Sequence, residues 1–190
     1  MHIKFRTLFL IMTIIVSATL AVVIMSQKRD NDVQWQQLLT AVIKEQDRVL
    51  SDKIGNQLSN VVVLGHVRSV IQAVSDPSAL DTPGSPGDPT IRERVLGVFQ
   101  SALTNYAYEQ IMVISSAGTP VIQLPTTKRY EIPGISDLVS TVLATEKPQF
   151  IDVFTTREGS ALIGYIGPVY DTSARPVGAV VALAQPTTTL

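Results

Sequence analysis

The chain has 190 residues, 45% of them hydrophobic and 16% charged, with a formal net charge of -1. That is enough for one ordinary domain with a sizeable core plus something extra, and too apolar for overall disorder. No basic excess points to nucleic acid, the absence of cysteine excludes disulfides, thiolate catalysis and zinc fingers, and His2 and His66 alone cannot build a His-rich metal site.

Residues 8–25 carry no charge, and eleven of these 18 are Leu, Ile, Val or Phe. As a helix they reach roughly 27 Å, close to the hydrocarbon thickness of a bilayer. Thr13, Ser17 and Thr19 subtract little, because hydroxyls hydrogen-bond back to helix carbonyls. A cleaved signal peptide is the rival reading, with Lys4 and Arg6 as its positive leader and Thr19-Leu20-Ala21 as a passable cleavage site. The apolar run continues through Val22, Val23, Ile24 and Met25, where a signal peptide turns polar, so an uncleaved anchor is favoured. His2, Lys4 and Arg6 stand before the span with no nearby acid. They place residues 1–7 in the cytoplasm and everything from about Gln27 outside it. The expected location is therefore the cell inner membrane, crossed once, with a periplasmic or extracellular domain. That outer part is net acidic and so is no polybasic lipid binder.

Asp32 suits a helix N-cap, and Leu39, Val42, Val49, Leu50, Ile54, Leu58, Val61, Leu64, Ile71 and Val74 recur at helical spacing. A continuous helix over 33–75 spans about 65 Å, with Gly55 and Gly65 as candidate kink points. Residues 33–57 carry a narrow apolar stripe, which suits a stalk that pairs with a second copy of the chain. Packing of that stripe within its own domain is the alternative. Residues 76–89 are rich in Pro and Gly and read as a loop. Thr90 and Glu93 then form a capping box, with Ile91, Val95, Phe99, Ala102 and Leu103 as the buried helix face.

From Glu109 the period changes to that of strands. Residues 110–115 and 120–124 read as a hairpin around Ser116-Ala117-Gly118-Thr119. Ser136 is placed to cap a short helix through Ala144. Residues 149–154, 160–169 and 177–184 give three more strands, joined by Arg157-Glu158-Gly159 and by residues 171–176. The expected fold class is α+β, a five-stranded, mostly antiparallel sheet preceded by a long helix, with its helices on one face.

The order of these parts resembles the extracytoplasmic Cache sensor domains of bacterial chemoreceptors, sensor kinases and diguanylate cyclases, whose core is PAS-like. The resemblance rests on a membrane anchor feeding a long helix, the apolar–turn–Gly–apolar hairpin of residues 111–122, and the run Ile166-Gly167-Pro168-Val169-Tyr170-Asp171 followed by Pro176-Val177-Gly178-Ala179-Val180-Val181. It covers residues 58–190. Two departures stand out. Ser115 and Ser116 occupy the hairpin turn where the family often has Asp, and no Arg-x-Trp-Tyr-like cluster is present, the nearest stretch being Lys128-Arg129-Tyr130. Amino-acid binding is therefore not expected. The resemblance further implies the first part of a longer receptor, of single or double Cache arrangement, or a truncated gene.

In a PAS-like fold the ligand lies between the sheet and the segments over its open face, here residues 126–134. Arg129 offers a fork for a carboxylate or phosphate and Tyr130 a flat ring with a hydroxyl. Asp152 interrupts an apolar strand, Tyr165 lies mid-strand, Tyr106 ends the preceding helix and Asp171 opens the last turn. Plainer roles compete at each position: a solvated cation, core or rim tyrosines, an outward-facing carboxylate, a turn-former. His66 is expected on a polar helix face. No nucleophile elbow, Walker loop or dinucleotide fingerprint is present, so the chain reads as a non-enzyme that needs no cofactor. A sensor for a small solute, an organic acid or amine, is the leading expectation. An anchored protein-interaction module, its pocket filled by its own side chains, is the alternative.

Overall fold

The computed structural model describes residues 2–82, 89–127 and 130–186, with side chains described at 27 and from 34 onward within them. The chain divides into two compact units, Met1–Val49 and Leu50–Leu190. In the first unit the backbone is helical throughout its described length and belongs to α1 (His2–Gly65). Helix passes straight through Asp32, which is therefore no N-cap: the turn before it leaves no orphan N–H groups to satisfy. Trp35, Leu38, Leu39, Val42, Ile43 and Val49 leave between 50% and 59% of their surface exposed. Their three- and four-residue steps put them along one seam. The expected membrane anchor at 8–25 lies outside the described side chains. Among the described residues no single helix is long and apolar enough to cross a membrane. A bent pair, Gln34–Gly65 with Arg68–Ser75, has the length and composition, but its Val61, Leu64, Val70 and Ala73 are buried in the core.

The second unit begins within α1. The helix does not continue to residue 75; it ends at Gly65, one of the two glycines expected to allow a kink. The His66 N–H closes onto the Val62 and Val63 carbonyls, Val67 is extended, and α2 (Arg68–Ser75) restarts the helix. A Cβ on Gly65 would stand 2.7 Å from the Pro168 carbonyl oxygen. Only glycine lets the end of α1 lie this close to a strand. A short 3-10 turn (Pro77–Ala79) follows. α3 (Ile91–Tyr106) opens with the expected capping box: the Thr90 hydroxyl accepts from the Glu93 N–H at 3.1 Å, and the Glu93 carboxylate accepts from the Thr90 N–H at 2.8 Å.

Five strands form one antiparallel sheet in the order β2-β1-β5-β4-β3. They are β1 (Gln110–Ser115), β2 (Pro120–Leu124), β3 (Gln149–Thr155), β4 (Ala161–Tyr170) and β5 (Pro176–Ala184). Between β2 and β3 lies α4 (Ile135–Thr145), whose N-cap is Gly134 at φ 65° rather than Ser136. Glycine takes that left-handed conformation without cost, so the helix starts two residues early and Ser136 falls inside it.

The helices do not all share one sheet face. The end of α1 with α2 and α3 covers one side, where Val61, Val70, Val95 and Phe99 meet Ile111, Val113, Tyr165 and Val180. α4 and the β2–α4 connection cover the other, where Ile132, Val139 and Val142 meet Met112, Ile114, Ile166 and Val181. The reason is visible in β4 and β5. Nearly all their residues are buried on both faces, and such strands need a cover on each side.

Candidate functional site

A cavity of about 860 Å3 opens in this second unit. Its wall on the sheet comes from Met112 of β1 and from β2, where Gln123 stands opposite Met112. Arg92 and Leu96 of α3 reach it past the edge strand β2. Thr126, Tyr130 and Glu131 of the β2–α4 connection form its cover. Thr156, Arg157 and Glu158 of the β3–β4 turn close the remaining side.

Local chemistry sets each of these groups. The β3–β4 tip is tied by Thr156: its N–H donates to the Ser160 carbonyl at 2.9 Å, its hydroxyl accepts from the Ser160 N–H at 3.2 Å, and Gly159 supplies φ 85°. Thr156 is buried. That tip is latched to the cover by an ion pair, with Arg157 Nη2 donating to Glu131 Oε2 at 2.7 Å. The two side chains are 83% and 71% exposed. A pair so well solvated contributes at most about 1 kcal/mol and opens readily. Arg92 is aimed by a forked contact on Asp81, Nε to Oδ1 at 2.6 Å and Nη2 to Oδ2 at 3.2 Å. The guanidinium holds the Asp81 carboxyl below its ordinary range. The result is an opening around edge strand β2, with apolar lining from both sheet faces (Met112 on one, Leu96 and Ile122 on the other) and two cations and two carboxylates at its rim. Such a site can take a small solute with an apolar body and a charged or polar end.

Of the six residues singled out in the sequence, Tyr130 lines this cavity, half-buried against the α4-side core. Arg129 lies outside the described residues. Tyr165 is fully buried on the opposite sheet face, its ring 6.4 Å from Tyr108 and 5.7 Å from Phe150. Tyr106 extends this aromatic row, 5.8 Å from Tyr108, and stays partly exposed. The Tyr108 hydroxyl donates to Gln57 Oε1, and burial pushes it well above the ordinary phenol range. Asp152 is exposed at a register shift in β3 and accepts from the Val153 N–H at 2.8 Å. The shift lets Ile151 and Phe154 both face the core while Asp152 and Val153 point to solvent. Asp171 builds the β4–β5 turn: Oδ1 accepts from the Ser173 and Arg175 N–H groups at 2.8 and 2.9 Å, and Oδ2 takes the Arg175 guanidinium. These bonds, led by the one from the Arg175 backbone, hold its carboxyl below the ordinary range. His66 is exposed, with Nδ1 2.8 Å from the Val62 carbonyl.

Arg92, Met112, Gln123, Glu131 and Arg157 were not among the sequence candidates. Arg157 and Glu158 read only as turn residues, and Arg92 only as part of a capped helix. Nothing in the local pattern distinguishes them, because the cavity gathers them from five separate parts of the chain. Among the described residues no three His, Asp or Glu side chains cluster as a metal site.

No family model matches the sequence, and no curated protein matches it. Solved structures do. The chain is similar to the sensor domain of the V. cholerae histidine kinase DctB, with TM-score 0.55 and 14% identity over 82% of this chain and 59% of that one. It is similar to the E. coli DcuS sensor domain, with TM-score 0.50 and 12% identity over 74% of this chain and 94% of that one. An extracellular ligand binding receptor from Desulfohalobium retbaense also matches, with TM-score 0.46 and 16% identity over 74% of this chain. This chain spans 25% of that receptor's length and 59% of the DctB domain's. The fold is the Cache-type, PAS-like sensor fold: a long N-terminal helix and a five-stranded antiparallel sheet.

Proposed function

We propose that the chain is the extracytoplasmic sensing region of a bacterial membrane receptor of the chemoreceptor, sensor kinase or diguanylate cyclase type. Residues 8–25 are its span, residues 33–57 its stalk and residues 58–190 its sensor domain. A small solute binds in the cavity, and its binding shifts the helix that leads to the membrane.

The cavity carries this reading. A self-filled interaction module leaves no such space beside Tyr130, whereas about 860 Å3 holds a metabolite. The rim suits the expected ligand classes: an organic acid can pair with the guanidinium of Arg157 or Arg92, an amine with the carboxylate of Glu131 or Glu158. Signalling requires that the ligand bind two helix arrangements with different affinity, and a coupling of about 1–3 kcal/mol is a usual response. The stalk reading is supported by the solvated seam from Trp35 to Leu50, whose apolar positions a second copy would cover.

The test is thermal melting of the full chain in detergent micelles against organic acids, amines and polyols. One solute raising the midpoint, with the rise lost in Tyr130→Ala and in the cavity-filling Thr126→Trp, supports sensing. A library without effect, or a response that both variants retain, rejects the cavity as the site.

A further inference from the structure

The layer opposite α4 carries a second opening. A groove of about 750 Å3 runs between α2 and α3, with Arg68 on one wall and Arg94 on the other. Six arginines have described side chains. Four of them hold a carboxylate: Arg48 on Glu45, Arg92 on Asp81, Arg157 on Glu131 and Arg175 on Asp171. The remaining two, Arg68 and Arg94, pair with no carboxylate among the described residues, and these two share the groove. Among the described residues no acidic side chain lines it. Ser69 and Gln72 add neutral donors beside the two cations.

Gly97 sits mid-helix in α3 on the same lining, and a Cβ built there meets nothing within 4 Å. Glycine is the poorest helix former after proline, and here neither packing nor backbone conformation asks for it. Its effect is to keep the groove open between the arginines. Two guanidinium groups on one open groove make it a positive surface that attracts an anion. A carboxylate brings one negative charge to these two cations, whereas a phosphate brings between about one and two. A tetrahedral oxyanion has enough oxygens to accept from both. We propose that the α2–α3 groove binds the phosphate group of a ligand, bridging the two helices at a site separate from the solute cavity.

The test uses the full chain in maltoside micelles, which contain no phosphate. Calorimetric titration with inorganic phosphate and with glycerol phosphate, at ionic strength held constant with chloride, is expected to show saturable binding. Arg68→Gln and Arg94→Gln should each weaken it about tenfold or more, since each removes charge-assisted hydrogen bonds. Both side chains are exposed, so the variants keep the fold. Gly97→Leu should abolish binding by occupying the groove, with circular dichroism unchanged or more helical. Repeating the titration in phosphatidylglycerol nanodiscs separates the sources: lost phosphate binding identifies a lipid headgroup as the occupant, and unchanged binding a soluble phosphate. Absence of saturable binding in micelles, or binding that the arginine and glycine variants leave intact, overturns the proposal.

Discussion

Gly55 and Gly65 lie in the same helix, and replacing each by alanine should move stability in opposite directions. At Gly55 a new Cβ meets nothing within 4 Å, so the change adds helix propensity alone, about 0.5–1 kcal/mol. At Gly65 the new Cβ would stand 2.7 Å from the Pro168 carbonyl oxygen, where an ordinary contact begins at 3.4 Å. That oxygen belongs to β4, where Pro168 is paired with Ala179 of β5, so it cannot swing away as a side chain could. Relief requires moving the helix end or β4 by several tenths of an ångström. Overpacking of this kind costs about 1–3 kcal/mol. The propensity gain is small at a helix terminus, so a net loss of about 1–2 kcal/mol is expected. For a unit the size of Leu50–Leu190 the melting midpoint moves about 3 °C per kcal/mol. Gly65→Ala should therefore melt about 3–6 °C lower than the parent and Gly55→Ala about 2–3 °C higher, both followed by circular dichroism of the full chain in micelles. Equal midpoints for parent and Gly65→Ala, or shifts of one sign in both variants, would falsify the claim that close approach to β4 is why residue 65 is glycine.

Three further outcomes are expected. Asp171→Asn should destabilise the chain near neutral pH, and the gap to the parent should close in acid. The Asp171 carboxyl is held below its ordinary 3.8, so its contribution is present above that value and fades as pH falls through the lowered one; denaturant melts across that range would show it. Tyr108→Phe should remove part of the parent's alkaline sensitivity. A hydroxyl raised by burial stabilises the fold below its ordinary value near 10 and stops doing so as pH climbs above it, which ultraviolet titration of folded parent and variant measures. Leu39→Glu with Val42→Glu should abolish self-association in analytical ultracentrifugation while leaving the melting of the second unit unchanged; a parent that is monomeric at every concentration would remove the stalk from the proposal.

The sheet was legible in the sequence because its strands announce themselves by period and by turn chemistry. Gln110–Ser115, Pro120–Leu124 and the Asp171 turn fall where alternation, Gly118 and the Asx signal put them. The two-sided cover was also written in β4 and β5, as apolar runs without alternation. Expecting helices on one face meant reading strand count and ignoring that missing period. Other features have no local signal. The end of α1 is fixed by Pro168, a residue 103 positions later than Gly65, through a contact that no window around Gly65 contains. The candidate site suffers most from this. Tyr165 looked like a pocket tyrosine, but Phe150 and Tyr108 enclose it on the other face. A strand's alternation says that neighbours point oppositely without saying which side holds the ligand.

The position of β4 gives the sensing proposal a mechanical route. Its first residue follows the β3–β4 tip, which supplies Thr156, Arg157 and Glu158 to the cavity. Six residues further on, roughly 20 Å along the strand, Gly167 packs against Val61, and the adjoining Pro168 meets Gly65. Both ends of the route therefore lie on one strand, held by β3 on one side and β5 on the other. Its start is laddered to β3, its end to β5 and its middle to both, so local bending would break ladder bonds and a displacement is carried along the strand as a body. The latch at the cavity end is a solvated ion pair worth no more than about 1 kcal/mol, within what a solute contact can replace. At the helix end Gly65 meets the Pro168 carbonyl backbone to backbone, and the nearest side chains to Gly65 and Gly167 are the short, stiff Val169 and Val61. A soft input joined through a stiff strand to a rigid output is the arrangement in which a ligand's differential affinity reaches α1 rather than dissipating at the rim.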